Sequence, residues 1–62
     1  MNIVKIKQLM KEKKLTLYRL AKLTNITETE LGKIIDGTIK DPYINTAKKI
    51  AEVLEIDIDE II

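Results

Sequence analysis

The chain predicts an all-α fold, a compact bundle of five short helices. Two observations carry this. Apolar residues recur at helical spacing almost from end to end, and cap and turn residues separate the stretches. No segment has a strand partner elsewhere. At 62 residues there is room for one domain, residues 1–62. Such a chain buries only ~60% of the surface its unfolded form exposes, so the core must be simple. Its apolar residues make up 45% of the chain and are almost all aliphatic, twelve isoleucines and seven leucines among them.

The first helix is expected between Asn2 and Lys14, with Ile6, Leu9 and Met10 inward and most lysines on other faces. Thr16 can cap a second helix that turns Leu17, Leu20, Ala21 and, less squarely, Leu23 and Thr24 inward. Asn25 follows, a residue that tolerates the left-handed backbone of a tight turn. The third helix is expected over 27–36. Thr27 would cap it, Leu31, Ile34 and Ile35 form its buried stripe, and Asp36-Gly37 end it. A loop with Pro42 leads to a fourth helix with Ile44, Ala47, Ile50, Ala51 and Leu54 inward. The tail EIDIDEII alternates like a strand, yet Asp57 could cap a last short helix with Ile58, Ile61 and Ile62 on one face. With no strand to pair with, the helix is the better reading.

Composition removes whole classes of function. Without cysteine there is no disulfide framework or thiolate site, and without histidine the commonest general base and zinc ligand are missing. Asp57, Asp59 and Glu60 lack the glycine and distal glutamate of a calcium loop. No nucleophile–base pair or glycine-rich phosphate loop is present. The expectation is a non-enzyme with no metal, cofactor or small-molecule substrate. No apolar run is long enough to span a bilayer and no signal-peptide core begins the chain, so a soluble cytoplasmic domain is expected. The net charge of +1 hides an asymmetry. Residues 1–27 carry seven basic side chains and one acidic, and residues 28–62 carry four and nine. One face could approach a polyanion, or these are ordinary solvated helix faces.

Two short helices joined by a tight turn make a helix-turn-helix. The segments LTLYRLAKLTNIT, TETELGKIIDG and DPYINTAKKIAEVLEIDIDEII resemble the Cro and phage-repressor (XRE) type of regulators over essentially the whole chain. The resemblance implies five helices, with the third lying in the major groove of double-stranded DNA, and a regulator that acts mostly as a homodimer. It implies a repressor of phage, plasmid or bacterial-operon type. Glu28, Thr29 and Lys33 fall where base edges would be met, with Lys33 suited to guanine. Thr16, Thr27, Lys40, Tyr43 and Asn45 fall where phosphates would be met, and Arg19 and Lys22 could join them. Ile58, Ile61 and Ile62 would supply dimer contacts. The chain departs from the family at Met10 and Ile35, where an ion pair often links the first and third helices, and at Asn25, where glycine is usual.

The acids at the start of the third helix test this reading. Thr27-x-x-Glu30 fits a capping box, with the Glu30 carboxylate folding back onto the cap's amide. Glu28 could simply complement the helix dipole, or accept a hydrogen bond from a cytosine amino group. Gly32 could let the helix backbone lie close to DNA, or be a tolerated small residue. A rival reading is a frame turned into a protein-interaction module such as an antirepressor. Four acids against two lysines between Glu28 and Asp41 favour it, while Lys33 and the basic N-terminal half oppose it.

Overall fold

The computed structural model covers residues 1–62 and consists of α1 (Ile3–Glu12), α2 (Leu17–Thr24), α3 (Glu28–Ile35), α4 (Ile44–Leu54) and a closing 3-10 turn (Ile58–Glu60). There are thus four α-helices rather than five. The last element is a single tight turn, in which the Glu60 amide donates to Asp57 O and the Ile61 amide to Ile58 O.

Side-chain caps begin three of the helices. Asn2 Oδ1 accepts from the Lys5 amide (3.0 Å), Thr16 Oγ1 from Arg19 (3.1 Å) and Thr27 Oγ1 from Glu30 (3.1 Å). The reciprocal bond expected from Glu30 does not form. Its equivalent occurs in the closing turn, where the Asp57 amide donates to Glu60 Oε2 (3.2 Å).

Three helices end alike, and without glycine. Lys14, Asn25 and Glu55 all adopt left-handed backbone, with φ of 57°, 61° and 59°. Each is followed by an apolar residue whose amide reaches back five residues along the helix end: Leu15 to Met10 O, Ile26 to Ala21 O, Ile56 to Ala51 O. This is the Schellman arrangement, and all three apolar side chains pack onto the core.

The core joins Ile6 of α1, Leu20 of α2, Leu31 and Ile34 of α3, Ile50 and Leu54 of α4, and Ile61 from the chain end. Helix α2 packs on both α3 and α4, α1 packs on α3, and the closing turn packs on α4. The Asn2 amide donates to Ile61 O, joining the two ends of the chain. Thr24, the one buried polar residue, donates its hydroxyl to Leu20 O (2.7 Å) within its own helix. Leu23 and Ile44, expected inward, are instead about half exposed. Leu23 lies beside Thr24 on the rim of α2, and Ile44 is the first residue of α4, ahead of the point where the helix meets the core.

Met10 and Ile35 are half-buried against this core. An apolar contact there avoids desolvating two charges. The double variant Met10→Arg/Ile35→Glu is therefore expected to be no more stable than the parent, and a raised melting temperature at neutral pH would contradict this. Position 32 makes a second test. A methyl group added at Gly32 would meet only Leu17 Cδ2, at an ordinary 3.7 Å. Gly32→Ala should stabilise the fold by about 0.5–1 kcal/mol through helix propensity, read as a shift of the urea midpoint at unchanged slope.

Candidate nucleic-acid interface

The turn between α2 and α3 sets the site. Left-handed Asn25 reverses the chain, Ile26 drops into the core, and extended Thr27 (ψ 150°) starts α3 at once. Leu31 and Ile34 then anchor α3 by its inner side. Its outer side carries Glu28, Thr29 and Lys33, all exposed. A helix of eight residues is about 12 Å long, comparable to the width of the DNA major groove. The expected boundaries hold to within a residue at each end, with Thr27 and Asp36 as the flanking caps.

Beside the N-terminus of α3 lies a shallow open groove lined by Tyr18, Ala21, Lys22, Asn25, Ile26, Thr27 and Glu28. The Lys22 ammonium stands 5.4 Å from the centre of the Tyr18 ring. That cation–π contact, about 0.5–1 kcal/mol at an exposed site, holds one lysine near Glu28. Tyr18 was not among the expected site residues. Its four-residue spacing from Lys22 was the available signal.

The far end of α3 is held by Asp36. The Thr38 amide donates to its carboxyl (2.8 Å), and the Thr38 hydroxyl and amide, with nearby Lys33 and Lys7, hold it below the usual carboxylate range. Because the folded value is lowered, this contribution is present at neutral pH and fades as pH falls through the acidic range. Gly37 follows with φ 88°, a conformation that side chains rarely adopt.

The expected phosphate binders are dispersed over the caps and the following loop. Thr16, Thr27, Lys40, Tyr43 and Asn45 are all exposed. Thr16 and Thr27 already accept an amide hydrogen bond each, which leaves their O–H hydrogens free to donate outward. Tyr43 stands at the N-terminus of α4, where no side chain caps the helix. Tyr43 is 87% exposed. Glu30, free of the expected cap bond, sits instead with Asp41 on a hollow floored by Ile34, Ile39 and Pro42.

The three expected dimer residues part company. Ile61 is wholly buried in the core of its own chain, so it is not available at a surface. Ile58 is half-buried, and Ile62 is 62% exposed, on a hollow shared with Met1, Lys40, Pro42 and Ile44. No group of acidic residues is arranged to hold a metal ion. No helix is long and apolar enough to cross a membrane.

A capped, glycine-terminated α3 laid across α2 through a left-handed turn defines a helix-turn-helix protein. Residues 5–62 match the family model of the Cro/C1-type HTH DNA-binding domain, and the chain belongs to that family. Among solved structures it is similar to the N-terminal DNA binding domain of SinR from Bacillus subtilis. The two share 27% identity with a TM-score of 0.89, over 95% of this chain and 86% of that one. No curated protein matches the chain. Family and fold are those of DNA-binding regulators.

Proposed function

We propose that this domain is a sequence-specific transcriptional regulator, a repressor of phage, plasmid or bacterial-operon type, that places α3 in the DNA major groove. One observation carries the proposal. Helix α3 is fixed by its apolar side and by both caps, and presents Glu28, Thr29 and Lys33 on the other side with nothing covering them. Lys33 suits the guanine edge and Glu28 the cytosine amino group.

Affinity comes from the flanks. Free O–H groups at Thr16 and Thr27, the uncapped first turn of α4 near Tyr43 and Asn45, and the Lys40 ammonium can each meet a phosphate. The active species is a homodimer, each α3 reading a half-site with centres about 10 base pairs apart. Ile62 and the half-buried Ile58 supply apolar surface for it, and Ile44 extends that surface through the hollow it shares with Ile62.

A second reading, a protein-interaction module, draws support from the acidic residues around the Glu30–Asp41 hollow. Selection of bound sequences from a random duplex library, followed by a salt titration, separates the two. A selected operator bound near physiological salt supports regulation by DNA binding. No binding to any duplex hands the function to a protein partner.

Two substitutions probe the contacts. Lys40→Ala should weaken binding to all duplexes alike and lower the salt slope by about one, as loss of a phosphate contact does. A loss confined to one sequence would make Lys40 a base reader. Glu28→Gln keeps the shape and removes the charge. It should tighten binding to random DNA while lowering discrimination at one base pair, with preference moving towards adenine, since a good base contact separates bases by ~1–3 kcal/mol. Uniform tightening on every duplex would reduce Glu28 to a helix-start carboxylate.

A further inference from the structure

The polar side chains on the outer side of α3 do not account for all of the surface that this side presents. Residues advance by about 100° along a helix, so Gly32 lies between the buried stripe of Leu31 and Ile34 and the outer residues Thr29 and Lys33. Its missing Cβ would point at α2, 3.7 Å from Leu17 Cδ2. Leu17 is the first residue of α2 and is only half-buried. Because position 32 has no side chain, the Leu17 methyl groups border the outer side of α3 instead of being screened from it. The result is an apolar step beside three polar residues.

Leucine is a poor choice for this place if α2 only docks against phosphates, since it offers them neither charge nor hydrogen bond. It is well suited to one feature of the major groove, the C5-methyl group of thymine, the only apolar group that the four bases display there. We propose that Leu17, uncovered by Gly32, is a specificity-determining residue that reads a thymine methyl group at the edge of the site. The inference rests on the DNA-binding reading given above. It also gives Gly32 a use: a side chain there would fill the step that the thymine methyl enters.

The test removes the methyl group and nothing else. In the selected operator each thymine is replaced in turn by deoxyuridine, and the affinity of the parent protein is compared with that for the intact duplex. Burial of one methyl predicts a loss of about fourfold at one position in each half-site. Leu17→Gln, which keeps a good helix former, should bind the thymine and uracil duplexes within about twofold of one another. Gly32→Ala should lose the same discrimination while melting no lower than the parent, which separates a filled step from a damaged fold. Methyl dependence at no position, or dependence that persists unchanged in Leu17→Gln, would overturn the assignment; the second outcome would give the contact to the Thr29 methyl. Absence of binding to the intact operator would bring down the DNA-binding reading and this one with it, a failure distinct from binding without methyl dependence.

Discussion

The backbone reversal at Asn25 and the burial of Ile26 behind it fix how α3 lies on α2. Left-handed backbone lets the Ile26 amide close onto Ala21 O, and the Ile26 side chain then enters the core. With Ile26 held, Thr27 starts the next helix one residue later, and Leu31 and Ile34 meet the core only in one rotation. The exposed positions of Glu28, Thr29 and Lys33 follow from that rotation. Few other constraints are available to so small a chain, which has no disulfide, one exposed ion pair (Lys5 with Glu60, 3.9 Å) and a short list of core residues. An exposed pair of this kind contributes ~0–1 kcal/mol. Packing and helix ends therefore carry the structure.

The helix ends explain what can be read from the sequence and what cannot. Thr16 and Thr27 were legible because a hydroxyl residue ahead of an apolar stripe has a local purpose. The helical interiors were legible from spacing. The outcome at Glu30 was not, because Thr27-x-x-Glu30 and Asp57-x-x-Glu60 carry the same signal and only the second folds back. Glu60 has Lys5 beside its other oxygen, whereas Glu30 faces a hollow that holds a second carboxylate, Asp41. Such neighbours arise from tertiary structure and leave no mark at three-residue spacing. Left-handed Lys14 and Glu55 were equally hidden, since neither residue type advertises that conformation.

The chain end shows the same limit in another form. Periodicity placed Ile58, Ile61 and Ile62 together, but a period gives a face and says nothing of what covers it. The core takes Ile61, leaves Ile58 partly covered and leaves Ile62 in solvent. Of the residues proposed to face DNA, those on α3 were legible because the helix boundaries were. Tyr18 and Leu17 were not, because their importance depends on how α2 and α3 cross.

Gly32 is where stability and the proposed recognition pull in different directions. A small domain has only a modest margin of stability, so a helical glycine costing about 1 kcal/mol relative to alanine is a sizeable fraction of it. The structure gives no steric reason for that cost, because alanine fits against Leu17 at ordinary distance. Left-handed Lys14 and Glu55 are unfavourable too, by ~1–2 kcal/mol each, but each lets a neighbouring apolar residue, Leu15 or Ile56, pack onto the core. Gly32 gains nothing comparable within the chain. What it changes is the surface offered outward, by leaving Leu17 uncovered at the margin of α3. A residue that weakens α3, with no compensating contact inside the fold, is best explained by something outside it, and in the proposed function that is the groove of DNA.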